Sequence, residues 1–125
     1  METINHENYV SLEVAKLLKE VGFVWSCRGY YDRRILRFNF VWDYNGKGTL
    51  TQCCAPTLDV AQKWLIEVKK MCIVVFPVEN RFAFIIAKLG ENFNQDDHIL
   101  EYSTYEEAQE EGIKRALELI SEKGE

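Results

Sequence analysis

Four arginines lie within ten residues of the chain and are interleaved with tyrosines. The segment from Arg28 to Arg37 holds a single acid, Asp32, so its net charge is +3 in a chain whose net charge is −5. Guanidinium groups bind phosphate through paired hydrogen bonds, and aromatic faces stack on nucleobases. This pattern predicts a compact site for a small anionic ligand such as a nucleotide. The candidate ligand-binding residues are Trp25, Arg28, Tyr30, Tyr31, Arg33, Arg34 and Arg37.

A structural role for the same arginines is the alternative interpretation. Residues 101–125 contain eight acidic and three basic residues, so the arginines have acidic helical surface to pair with, in the same chain or across a subunit interface. Two tryptophans, Trp42 and Trp64, also have two possible interpretations, because an indole is suited to a protein core or to an oligomer interface. We assign both to an interface of a homo-oligomer.

The overall charge excludes several classes of partner. The chain has 15 Lys and Arg against 20 Asp and Glu. Bulk nucleic acid and anionic membranes are bound through a surplus of basic residues, which this chain lacks. No apolar run approaches the ~18 residues that a membrane-spanning helix needs, and the polar, acidic residues 1–7 do not resemble a signal peptide. We therefore expect a cytoplasmic protein with neither membrane nor bulk nucleic acid as partner.

The sequence contains no catalytic signature. Motifs for nucleophilic serine hydrolases, zinc proteases, phosphate-binding glycine loops and dinucleotide sites are absent. The adjacent Asp96, Asp97 and His98 are the nearest approach to a metal-ligand cluster, in a polar segment that favours a solvated loop. The four cysteines lack C-x-x-C spacing, which favours buried reduced thiols over a zinc site. We expect no catalytic residue, no metal site, no cofactor and a non-enzymatic role.

Three helices with similar beginnings organise the chain. Ser11, Thr57 and Thr104 are each a hydroxyl residue suited to an N-cap position, and each is followed by an acid in the first turn. Ser103 fits the same capping pattern one residue earlier. Gly22 is suited to end the first helix.

Strands fill the intervals between the helices. Residues 23–31 and 34–44 are rich in aromatic and β-branched residues, and a turn at 45–48 favours residues 49–54 as the return strand of a hairpin with 34–44. A second hairpin joins residues 71–78 to 81–89, and residues 98–102 form a short third strand. Hairpins give antiparallel pairing, so the fold class is α+β, in a single domain over residues 1–125.

The helix beginnings also indicate an internal repeat. Their N-caps are separated by 46 and 47 residues, and each is followed by an apolar residue, an acid and then an alanine. A structural repeat would make residues 11–56 and 57–103 two α-β-β-β units, closed by a helix over 104–121. Capping chemistry alone is the alternative, since it draws on few residue types.

Three stretches of the chain share their pattern with other short proteins: YVSLEVAKLLKEVGF with CRGYY, then CCAPTLDVAQKWLIEV, and finally STYEEAQEEGIKRALELI, over residues 9–31, 53–69 and 103–120. In these stretches the chain resembles a family of short proteins encoded by phages and prophages of gut Bacteroidales. The resemblance implies a phage or prophage origin and a location inside an infected or lysogenic bacterial host. That family has no assigned biochemical function, so the resemblance transfers no site residue.

Two functions follow from these observations. The first is an accessory protein of a phage or prophage that binds and sequesters a small phosphorylated ligand, such as a nucleotide immune signal of the host. The second is an acidic inhibitor or adaptor that binds a host protein through its last helix. The +3 segment favours the first function, and the charge of residues 101–125 favours the second.

Overall fold

Three helices and two antiparallel sheets make up the described part of the chain, which confirms the α+β class. The computed structural model describes residues 9–42, 45, 51–90 and 101–122, without the side chains of 40–42. The elements in chain order are α1 (Leu12–Glu20), β1 (Cys27–Asp32), β2 (Ile35–Trp42), β3 (Gln52–Cys54), α2 (Leu58–Lys69), β4 (Met71–Val78), β5 (Arg81–Lys88) and α3 (Tyr105–Glu122).

The three helices begin where their hydroxyl residues predict. The side chains of Ser11 and Thr57 each accept a hydrogen bond from the amide three residues later, at 3.3 Å. Thr104 accepts from the amide of Glu107 at 3.1 Å, so Thr104 rather than Ser103 caps α3. The first helix stops at Gly22, whose φ of +95° is readily adopted by glycine and rarely by other residues.

The first sheet has the strand order β2-β1-β3. Here the predicted hairpin between residues 34–44 and 49–54 is wrong, because β3 pairs with β1 and not with β2. The hairpin of this sheet is β1–β2, whose turn holds Arg33 at a φ of +63°. A left-handed arginine gives no turn signal in a sequence, whereas Asn45 and Gly46 give a strong one. The strand predicted over 23–31 begins only at Cys27.

The second sheet is the predicted hairpin of β4 and β5, paired from Met71↔Lys88 to Val78↔Arg81. Tyr102 forms an isolated bridge to Phe82, on β5. Most of the short strand predicted over 98–102 lies outside the described residues. In the segment 11–56 the middle strand of the sheet is β1, the first strand of that segment. In the segment 57–103 the middle position, between β4 and Tyr102, is taken by β5, the second strand of that segment. The two segments therefore begin with similarly capped helices and differ in strand order.

The core joins all three helices to both sheets. Trp64 and Phe23 are its largest buried side chains, with ring centroids 5.4 Å apart. Helix α3 lies across the second sheet and buries a face that includes Ile113 and Leu117. Tyr105, at the start of this helix, is 43% exposed.

Buried polar contacts fix the position of α3 against α2. Gln109 is 3% exposed, and its amide donates to Asp59 at 2.9 Å and to the Gln62 oxygen at 2.8 Å. The amide of Gln62 in turn donates to the backbone carbonyl of Ile73 on β4 at 2.6 Å. Because buried donors are costly when unpaired, this chain of hydrogen bonds specifies one placement of α3.

Helix α3 approaches the second sheet closely at Gly112. A Cβ atom built there would lie 2.5 Å from Cγ2 of Ile73 and 3.2 Å from the ring of Phe84. Even one added carbon atom at this position would require the side chain of Ile73 to move. Glycine weakens a helix by about 1 kcal/mol relative to alanine, so the close packing offsets a real cost.

Gly112→Val should therefore destabilise the fold by about 1–3 kcal/mol, because the added methyl groups must displace a β-branched side chain and an aromatic ring. Urea unfolding at neutral pH measures the change. Ser121→Val, on the exposed last turn of the same helix, is the matched control and should stay within about 0.5 kcal/mol of the parent. Equal midpoints for the two variants would contradict the packing described here.

Candidate anion-binding site

The register of β1 and β2 divides the candidate residues between two faces of the first sheet. Tyr30 lies directly opposite Arg37, and Tyr31 lies opposite Leu36. Residues that face each other across a strand pair project to the same side, and neighbours along a strand project to opposite sides. Tyr30 and Arg37 are therefore on one face, and Tyr31 is on the other.

The face that carries Tyr31 is turned towards the body of the protein. The Tyr31 hydroxyl donates to the carbonyl of Val10 at 2.9 Å, and the ring of Tyr9 packs 5.1 Å from that of Phe38. Tyr9 can approach because Gly29 has no side chain: a Cβ there would lie 3.1 Å from the Tyr9 ring. This inner face is thus covered by residues 9–10, and Tyr31 has a structural role there.

The opposite, outer face carries the basic residues. The β1–β2 register is irregular at Arg28, but Arg28 is exposed between the buried Cys27 and Gly29, which places it on the side of Tyr30 and Arg37. Both arginines are exposed, and Tyr30 is half-buried between solvent and the core. We call Arg28, Tyr30 and Arg37 the arginine face.

The remaining two arginines extend the arginine face at its turn. Arg33 and Arg34 are both exposed. The amide of Arg33 donates to the carbonyl of Thr51 at 2.9 Å, which ties the turn to the chain before β3. The hydroxyl of Thr51 also donates to the Asp32 carboxylate at 3.2 Å, so the single acid of this segment already has a hydrogen-bond donor.

Ion pairing separates these four arginines from the other two in the chain. Arg81 lies 3.9 Å from the Glu101 carboxylate, and Arg115 lies within 4.0 Å of acids in its own helix. Among the described residues, no carboxylate lies within 4.0 Å of Arg28, Arg33, Arg34 or Arg37. The alternative that these arginines pair with acidic helices of the same chain therefore has no support in the described residues.

The tryptophans do not join the arginine face. Trp25 precedes β1 and packs against the core, 6.1 Å from the ring of Phe23. Trp64 is 2% exposed, so its indole packs within this chain rather than on an outer surface. The side chain of Trp42 lies outside the described residues, and its interface role stays a prediction.

The cysteines are free thiols set in the core. Cys27, Cys53 and Cys54 are buried, and Cys72 is half-buried. The thiols of Cys27 and Cys54 both donate to the Trp25 carbonyl, at 3.5 and 3.6 Å. Burial raises the pKa of the Cys53 thiol and so disfavours the reactive thiolate. The described residues contain no group of three or more His, Cys, Asp or Glu that could hold a metal ion; Asp96–His98 lie outside them.

An acidic groove, which the sequence analysis missed, lies at the start of α3. Its volume is about 580 Å³, and it is lined by Tyr102, Thr104, Glu106, Glu107, Glu110 and Glu111. Burial and the charge of Glu111 raise the pKa of the Tyr102 hydroxyl. From the sequence, the glutamates indicate an acidic last helix but not a groove. Their grouping around Tyr102 depends on the bridge between Tyr102 and Phe82 on β5, and the strand predicted over 98–102 did not specify this partner.

Comparisons with known proteins give no relative for this chain: no family model, curated protein or solved structure matches it. No helix in the described residues is long and apolar enough to cross a membrane.

Tyr31→Phe tests the structural role of the inner face through pH. Burial, and then the nearby Glu110 charge, raise the pKa of the Tyr31 hydroxyl above 10.0. At neutral pH the variant should lose about 1 kcal/mol with the bond to Val10. The unfolded chain ionises first as pH rises above 10, so the tyrosine's contribution is complete below pH 10 and declines above it. The difference between the urea midpoints of parent and variant should therefore be constant below pH 10 and smaller at about pH 11 than at pH 9; an unchanged difference would contradict this assignment.

Proposed function

We propose that this protein binds a small phosphorylated ligand, such as a nucleotide, on the arginine face, and withholds that ligand without converting it. The observation that carries the proposal is the state of the arginines: both arginines outside the β1–β2 hairpin form ion pairs, and the four within it form none among the described residues. Exposed guanidinium groups without a protein partner are available to bind an anion.

The spacing on the arginine face suits a ligand that combines phosphates with an aromatic ring. Directly opposite residues on paired strands lie about 5 Å apart, and alternate residues along a strand lie about 7 Å apart. Arg37 and Arg28 therefore stand on two sides of Tyr30 at distances that their long side chains span easily. In this arrangement the guanidinium groups bind phosphate oxygens while Tyr30 offers a ring on which a base stacks.

The charge around the site favours a small ligand over a long one. The chain as a whole carries −5, and residues 101–125 hold eight acids against three bases. A long polyanion would cross that negative surface, whereas a nucleotide-sized anion meets only the positive hairpin. The resemblance to phage and prophage proteins supports sequestration of a host nucleotide signal as the biological role.

Replacing both face arginines should abolish binding. Nucleoside triphosphates or tripolyphosphate should raise the melting temperature of the parent, and the size of this rise at each ligand concentration gives an apparent affinity. In Arg28→Ala/Arg37→Ala this apparent affinity should be at least tenfold lower, because each charge-assisted contact contributes about 1.5–3 kcal/mol. Lys16→Ala/Lys63→Ala removes the same charge from two exposed helical positions and should bind as the parent does. A parent protein that no phosphorylated compound stabilises would overturn the proposal.

Arg33→Gly separates binding from folding. Arg33 occupies the left-handed region at a φ of +63°, which costs a non-glycine residue about 1–2 kcal/mol. Glycine removes that strain and keeps the amide bond to Thr51, so the melting temperature should be unchanged or higher while affinity for tripolyphosphate falls. Isothermal titration and thermal melts of the same sample test both parts, and a lower melting temperature would contradict the strain described.

The acidic groove favours a second candidate function. A basic segment of a host protein would complement its four glutamates, as expected of an acidic inhibitor or adaptor. The Arg28→Ala/Arg37→Ala variant distinguishes the two functions, because it leaves the groove intact.

A further inference from the structure

Two surfaces of opposite charge coexist on this chain. The arginine face and its turn carry four guanidinium groups without an ion-pair partner among the described residues. The acidic groove carries four glutamates that likewise have no cationic partner within 4.0 Å among those residues. Glu107 and Glu110 are held by hydrogen bonds, to Thr104 and to the amide of Ser11, whereas Glu106 and Glu111 face the groove.

The first sheet keeps these two surfaces apart within one molecule. Glu110, which lines the groove, accepts from the amide of Ser11 at 3.3 Å, and the neighbouring Val10 carbonyl accepts the Tyr31 hydroxyl from the inner face of the sheet. The groove therefore lies on the inner side of the sheet, and the arginine face lies on the outer side. Neither surface can neutralise the other in the same chain.

We propose that the arginine face of one copy docks in the acidic groove of a second copy, head to tail, and that the phosphorylated ligand competes with this contact. The proposal rests on the proposed function, because ligand and groove would share Arg28 and Arg37. In the assembly the arginine face would be covered by a second copy, and ligand binding would separate the copies.

The symmetry and strength of such a contact follow from its composition. The two patches lie on opposite sides of the sheet and cannot both meet the same partner, so the interface is heterologous and builds rings or open chains rather than a two-fold dimer. Exposed ion pairs contribute little individually and are screened by salt, with a Debye length near 10 Å at about 0.1 M. Assembly should therefore be reversible, dependent on concentration and strongest at low ionic strength.

Complementary charge reversal tests the contact. The face variant is Arg28→Glu/Arg37→Glu, and the groove variant is Glu106→Lys/Glu111→Lys, which spares the glutamates that bond to Thr104 and Ser11. Matched controls are Lys16→Glu/Lys63→Glu and Glu20→Lys/Glu79→Lys, which change the net charge equally at exposed positions. Sedimentation velocity at 20 mM and 500 mM NaCl measures the mass of each protein and of mixtures, after circular dichroism confirms folding.

The parent and both controls should associate at 20 mM NaCl, with an association constant at least tenfold lower at 500 mM. Each reversal variant alone should remain monomeric, and their equimolar mixture should associate again, because each then offers the complement of the other. Tripolyphosphate should dissociate the parent assembly. A monomeric parent at low salt, or reversal variants that associate like the parent, would overturn the inference. Tripolyphosphate binding measured on the same parent sample would still report on the proposed function, so the two failures are distinguishable.

Discussion

The packing of α3 at Gly112 is the contact on which the other elements depend. Where α3 crosses the second sheet, the absence of a side chain brings the helix backbone against Ile73 and Phe84. With the helix this close to the sheet, residues on either side of Gly112 contact other elements. Gln109 contacts α2, Glu110 contacts the start of α1, and Lys114 lies 3.0 Å from Glu13. One helix thus ties together elements that are far apart in sequence, and a bulkier residue at its centre would loosen all of these contacts at once.

The site is a consequence of which sheet face this arrangement covers. Residues 9–10 close over the inner face of β1 and β2, so the aromatic and aliphatic residues of that face enter the core. On the opposite face Arg28 and Arg37 are exposed, and Tyr30 between them is half-buried. An isolated pair of strands would expose both faces to water. In this hairpin the contacts of the covered face hold the strand backbone in place, and the side chains of the exposed face start from that fixed backbone. A rigid strand pair positions side chains for binding better than a loop does, since less conformational entropy is lost when a ligand arrives.

Local chemistry decided which parts of this fold were predictable. Helix starts follow from hydroxyl caps, and the hairpin from Met71 to Lys88 follows from alternation around a short turn, so both were found in the sequence. The β1–β2 hairpin was missed because its turn contains Arg33, which is not a typical turn residue. Asn45 and Gly46 are typical turn residues, and they led to the wrong prediction that residues 34–44 pair with residues 49–54. The arginines of the candidate site were selected from the local composition of the sequence, and their role stays a prediction. Their separation from Tyr31 depends on strand register, and the groove depends on a bridge to Tyr102, and neither is encoded within a few residues of the chain.

The side-chain amide of Gln109 determines the position of α3 along its own axis. A helix held by apolar contacts alone can slide by a turn, about 5.4 Å, and meet a similar surface again. If α3 moved by one turn, Tyr105 or Ile113 would stand where Gln109 now meets Asp59 and Gln62, and neither can donate the two hydrogen bonds that Gln109 gives. The hydrogen bonds of Gln109 therefore fix where along its axis α3 lies against α2, and with it where the acidic groove at its start is placed.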